Sequence, residues 1–225
     1  MAKSNPDEKI LSYNDVVLRR SDLDILSGLY FLNDRIIKFY FSYLSSCSAH
    51  ILLVPPSITF WIMNCPAESL KDFLDPLDLP NKELVIFPVN DNDDVGEAEG
   101  GFHWSLLAFE RSINTFVHHD SSRGGWNKHP AKRLYNAVKK FMSVSNSGTD
   151  PVYMECTDSP NQVNGYDCGM YVLAIARKIC SWHGSEDRDG DNLWFSALKE
   201  QVTPSGVAAM RGEILDLIRG LMPKT

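Results

Sequence analysis

The period of the apolar positions changes several times along the chain. Ile37, Tyr40, Phe41 and Leu44 recur at helical spacing behind Asn33 and Asp34, either of which can cap a helix. Leu134, Ala137, Val138 and Phe141 repeat the pattern after Pro130, a residue suited to a first helical turn. Val172, Ile175, Ala176, Ile179 and Cys180 mark one face of a helix that opens at Cys168. Met170 and Leu173 lie on its other sides, so this helix is expected to be buried over most of its surface. A last helix presents Val207, Met210, Ile214, Leu217, Ile218 and Leu221. Between these lie four short β-branched or aromatic runs, 84–89, 103–109, 115–119 and 152–156, bounded by turn formers and read as strands. Residues 90–101, 121–129, 146–151 and 183–191 are rich in Gly, Asp, Asn or Ser and read as irregular. Helices at both ends with strands between them predict an α+β domain.

Composition narrows the class. The chain has 225 residues, 44% hydrophobic and 23% charged, enough for one ordinary globular core and too apolar for disorder. No repeat or linker divides it, so one domain over 1–225 is expected, with about the first 10 residues flexible. The net charge is −7 without a basic cluster, so no nucleic-acid partner is expected. The apolar run 51–63 is broken by Pro55-Pro56 and is too short to span a bilayer, and no membrane partner is expected. The polar start lacks the apolar segment of a secretory signal. The five cysteines, Cys47, Cys65, Cys156, Cys168 and Cys180, are odd in number and form no C-x-x-C pair, which fits a reducing compartment. By elimination the expected location is nuclear or cytoplasmic.

Candidate chemistry centres on Gln162-Val163-Asn164-Gly165-Tyr166-Asp167-Cys168-Gly169, where a thiol sits between a turn-forming run and the buried helix. The exposed N–H groups and dipole of a helix N-terminus favour a thiolate there. His103 and Asp120 lie at the far ends of two neighbouring strands. A two-residue loop at Arg111-Ser112 would set them directly opposite, with Cβ atoms about 4.5–5.5 Å apart. Nucleophile, base and orienting carboxylate are then available, with the Cys168 N–H and the Gln162 amide as oxyanion donors. Other readings of the same residues stay open. A cysteine on an apolar helix is usually inert, a strand histidine such as His118 or His119 is usually structural, and Trp104 alone would be a core aromatic. A metal site from His103, His118 or His119, Asp120 and Cys156 is conceivable, though no short paired ligand spacing supports it.

The motif around Cys168, together with His103-Trp104 and Asp120 in the order His, Asp, Cys, resembles the ubiquitin-like-protein-specific (Ulp, or sentrin/SUMO-specific) cysteine protease family. Phe31-Leu32-Asn33-Asp34 is similar to another motif of that family, with Phe where Trp is usual. Residues 76–82 and Asn90-Asp91-Asn92 look most like its small deneddylase branch, which acts on the Nedd/Rub modifier. The resemblance covers nearly the whole chain. It implies a central mixed sheet flanked by helices, with the nucleophile at the N-terminus of a buried helix. It also implies a thiol isopeptidase and C-terminal hydrolase that cleaves after the modifier's Gly-Gly tail, both in the precursor and on lysines. Cys168 would attack, His103 move protons, Asp120 orient His103 and Gln162 hold the oxyanion. Trp104 would roof the tail's channel, Phe31 form another wall without an indole N–H, and Asp34 meet an arginine of the tail. The implied partners are the modifier and its conjugates, the enzyme acting as a monomer without metal or organic cofactor. SUMO as substrate, or a non-catalytic modifier-binding module, are the alternatives. The acidic loop, with Asp91, Asp93, Asp94, Glu97 and Glu99, would read the modifier's basic face.

Overall fold

The computed structural model describes residues 5–45, 48–97, 100–143, 149–185 and 193–223. Its centre is a five-stranded sheet in the order β3 (Ile51–Leu53), β4 (Leu84–Asn90), β5 (Trp104–Glu110), β6 (Thr115–His119) and β7 (Val152–Glu155). The inner strands β4, β5 and β6 pair antiparallel, while the outer strands β3 and β7 pair parallel to their neighbours, so the sheet is mixed. Every residue of β4 and β5 is buried, because helices cover both faces.

Alternation along the strands divides the core in two. Leu84, Ile86, Leu106, Ala108 and Val117 point into a cluster built with α2 (Asp34–Leu44), α6 (Cys168–His183) and α8 (Pro204–Leu221). Val85, Phe87, Leu107, Phe109 and Phe116 point the other way, against α3 (Pro56–Asn64) and α5 (Lys128–Val138). Period-2 strands with large apolar residues on both faces can be satisfied only by such a three-layer stack. The helix α6 has eleven buried residues and lies across the sheet, as its all-round hydrophobicity requires.

The β5–β6 hairpin departs from the expected register. Leu106 faces His119 and Glu110 faces Thr115, so the loop is Arg111 to Asn114, four residues rather than two. Arg111 is the reason: its guanidinium donates to the carbonyls of Lys82, Leu79 and Met142, which draws it out of a tight turn. Asn114 closes the loop in the left-handed region at φ 47. The shift is by two residues, which preserves facing, so His103 and Asp120 stay on one side although no longer directly opposite.

The N-terminus also differs from expectation. A hairpin of β1 (Lys9–Tyr13) and β2 (Val16–Arg19) begins inside the stretch expected to be loose, and Ile10 is buried. The Glu8 carbonyl accepts from Arg20 at the start of α1 (Arg20–Ser27). Three further irregular readings need adjusting: Asn90 ends β4, Lys128 and His129 open α5, and His183 closes α6. Positions 98–99, 146–148 and 186–191 of the expected loops lie outside the described residues. Among the described residues no helix is long and apolar enough to cross a membrane.

Candidate active site

Cys168 is the first residue of α6, with Asp167 before it as N-cap. His103 immediately precedes β5 and Asp120 immediately follows β6, so one end of the sheet presents both. His103 Nε2 and Asp120 Oδ1 are 2.6 Å apart, and both side chains are buried. Burial would push the Asp120 carboxyl up, but the bonds from His103 and from the backbone N–H of Ser122 and Asn127 outweigh it and hold the group below its ordinary value. Burial likewise disfavours a charged His103, yet the bonds to Asp120 and Cys168 raise the ring to about 9. With Nε2 committed to Asp120, Nδ1 is the nitrogen that remains for Cys168. The structure thus brings together the three residues expected to meet. Cys168 itself is 1% exposed, in one buried cluster with Trp104 and Leu32.

The turn before α6 explains the polar residues of the motif. Asn164 Oδ1 accepts from the N–H groups of Tyr166 and Asp167, and its amide donates to Asp167. Gln162 accepts from the Ser121 hydroxyl and donates one of its two amide N–H groups to the Asn164 carbonyl. Its backbone N–H donates to the Ser121 carbonyl, so the residue is clamped beside Asp120. A Cβ on Gly169 would lie 2.9 Å from Leu32 Cβ, which is why glycine follows the cysteine. Arg211 of α8 donates to Asp167 at 2.7 Å and to the carbonyls of Ile25 and Tyr30, pinning the α1–α2 linker to the nucleophile's turn.

That linker carries Phe31 and leads to Asp34. The Trp104 indole N–H donates to the Leu32 carbonyl at 3.1 Å, closing a bridge above Gly169. Phe31, Asp34 and Trp104 line one groove, and a second, more apolar groove continues past Trp104 and Asp34 toward Phe60 and Trp61. Asn33 takes the cap of α2, its side chain accepting from Ile36 N–H, and Asp34 occupies the first helical position.

Three residues that seat His103 were missed in the sequence. Asp91 Oδ1 accepts from the N–H groups of Phe102 and His103, so this acid of the loop faces inward rather than outward to a partner. Asp94 also serves its own turn, accepting from Gly96 N–H, while Glu99 lies outside the described residues. Asn127, fully buried, donates to the carbonyls of Val89 and His103, and Asn90 donates to the latter as well. An asparagine just before a helix reads as a cap, and nothing local in the sequence reveals this longer reach. His118 and His119 prove to be engaged elsewhere, with Glu155 and Ser105 and with Ser159 and Trp194.

A thiol at a helix start, paired with a histidine that a sheet-borne carboxylate holds, is the architecture of a cysteine-type peptidase. The profile of the family described as "Ulp1 protease family, C-terminal catalytic domain" matches residues 62–201. The chain is 56% identical to NEDD8-specific protease 1 of Arabidopsis thaliana, over 100% of this chain and 99% of that one. It is 36% identical to sentrin-specific protease 8 of Homo sapiens, over 97% of this chain and 100% of the relative. The chain belongs to the Ulp1 protease family and is a cysteine protease. Its fold is also that of the C-terminal Ulp1 protease domain solved with Smt3, the yeast ortholog of SUMO, at TM-score 0.70 and 18% identity over 97% of this chain and 90% of that one.

Proposed function

We propose that this protease matures a NEDD8-type modifier and removes it from lysine side chains, with Cys168, His103 and Asp120 as its catalytic residues. The observation that carries the reading is the 2.6 Å His103–Asp120 bond with Cys168 on the ring's other nitrogen. The choice of modifier is supported by the relatives named for NEDD8 and sentrin-specific activity.

The modifier's tail lies in the groove of Phe31, Asp34 and Trp104, where only glycines pass the bridge over Gly169. Asp34 meets a basic residue of the tail. The Cys168 sulfur, giving its proton to His103 Nδ1, attacks the carbonyl carbon of the last glycine. The displaced electron pair moves to the carbonyl oxygen, held by the Cys168 N–H and the second N–H of Gln162. Collapse breaks the C–N bond, and the departing lysine nitrogen takes the proton of His103 Nδ1. Water, giving a proton to the now neutral ring, hydrolyses the thioester and restores the thiol. We further propose that the protein works as a monomeric single domain, with neither nucleic acid nor membrane as partner.

Cys168→Ala is expected to abolish cleavage of a modifier carrying a C-terminal reporter, with modifier binding retained in titration calorimetry. Residual turnover near the wild-type rate would overturn the assignment. Parallel reporters on NEDD8 and SUMO test the modifier: faster cleavage of SUMO would refute the NEDD8 reading. A modifier with a C-terminal electrophile that gives no adduct on Cys168 would leave only a binding module.

A further inference from the structure

Trp126 is 66% exposed, an unusual position for the largest side chain, and its ring lies 6.2 Å from His103 at an interplanar angle of 66°. The segment that carries it is firmly held. Ser122 N–H and Asn127 N–H donate to the two oxygens of Asp120, and the neighbouring Asn127 side chain is anchored on Val89 and His103. Two glycines let the indole stand out. Gly125 has φ +60, and a Cβ on Gly124 would meet Trp126 Cδ1 at 2.8 Å. A rigid, solvent-facing tryptophan beside the proton donor is the form of a contact site rather than of a core residue.

Its position says which part of a substrate it would touch. Trp126 is not among the residues that line the grooves of Phe31, Asp34 and Trp104; its neighbour is His103. The leaving nitrogen must come within reach of His103, and whatever it carries then extends past the ring. In a conjugate that appendage is the four-carbon stem of lysine, an apolar rod that packs well on a flat indole. In a precursor it is a peptide continuing from an α-nitrogen, with no such stem.

We infer that Trp126 is the platform for the target lysine's side chain, and that it biases the enzyme toward conjugates over precursor. The inference rests on the proposed isopeptidase reading. Trp126→Ala and Trp126→Phe would be compared with wild type on three probes: a modifier joined to a lysine ε-nitrogen in a peptide, the same modifier with a C-terminal peptide extension, and the modifier bearing a C-terminal electrophile. For Trp126→Ala we expect kcat/KM on the isopeptide to fall about 10-fold, the scale of a lost apolar contact. Cleavage of the extension and electrophile labelling should stay within about 2-fold of wild type, and Trp126→Phe should recover most of the isopeptide rate. Equal losses on both cleavable substrates would make the indole a shield for His103 and overturn the inference, as would no loss on either. If wild-type Cys168 is not labelled at all, it is the isopeptidase reading that fails instead.

Discussion

Two histidine–carboxylate pairs stand on adjoining strands, and only one lies at the proposed chemistry. His103 bonds Asp120 at 2.6 Å through Nε2 and turns its other nitrogen to Cys168. His118 bonds Glu155 at 2.8 Å and the Ser105 hydroxyl at 2.9 Å, a serine–histidine–acid array by distance alone. Ser105 and His118 lie within strands that helices cover on both faces, whereas Cys168, no more exposed than Ser105, starts a helix beside the strand ends. His119, one residue on, accepts from the Trp194 indole and pairs with Ser159. Burial, with His118 nearby, lowers its pKa to about 3, which keeps it neutral. Distances alone therefore do not make a triad. What separates the first pair is its place at the strand ends, beside the helix start that carries Cys168.

The most severe test of this contrast is the pair of alanine variants. His103→Ala should lower kcat/KM by about 10³-fold or more, in line with loss of the acid–base and ion-pair partner. Ser105→Ala should leave activity per folded molecule unchanged and cost about 1–3 kcal/mol of stability, since it strands a buried His118 nitrogen. Denaturant melts and initial rates measured on the same samples separate the two effects, and a catalytic loss in Ser105→Ala would erase the distinction.

Asp120→Asn comes next. It keeps the shape but removes the charge that holds His103, and activity should drop about 10²-fold or more. Because the folded pKa of His103 is raised, its stabilisation is complete below pH 6.5 and is lost as pH rises through about 9. In the asparagine variant the ring's NMR titration midpoint should move down toward its ordinary value. An unmoved midpoint would deny that Asp120 tunes the ring.

The effect with least bearing on catalysis is on stability against acid. A histidine with a lowered folded pKa has the opposite sign: it takes up its proton on unfolding, so stability present above pH 6.5 falls as pH drops toward about 3. The decline attributable to His119 is about 1.4 kcal/mol per pH unit. His119→Gln should flatten the acid side of the stability profile without altering catalysis; an unchanged slope would place the acid sensitivity elsewhere.

Much of this was readable from the chain. The start of α6, the cap of α2 and the strand 115–119 follow from period, cap residues and turn formers, because local sequence determines them. The motif around Cys168 carried the family as well. The β1–β2 hairpin, α1 and α3 were not identified: the strands are short, and Pro56, which opens α3, looked like an interruption of an apolar run. The hairpin register slipped because Arg111 answers three carbonyls remote in sequence. The roles of Asp91 and Asn127 were missed for the same reason, since their partners are remote in sequence. Long-range polar contacts of this kind leave no periodic trace.

The Arg211 clamp has a consequence for biosynthesis. The guanidinium that steadies the turn before the nucleophile comes from the final helix, some forty residues downstream of Cys168. A nascent chain that has emerged with Cys168, His103 and Asp120 but without that helix lacks the tie between the cysteine's turn and the α1–α2 linker. The tie between the cysteine's turn and the α1–α2 linker can therefore form only once the final helix has been made and has packed.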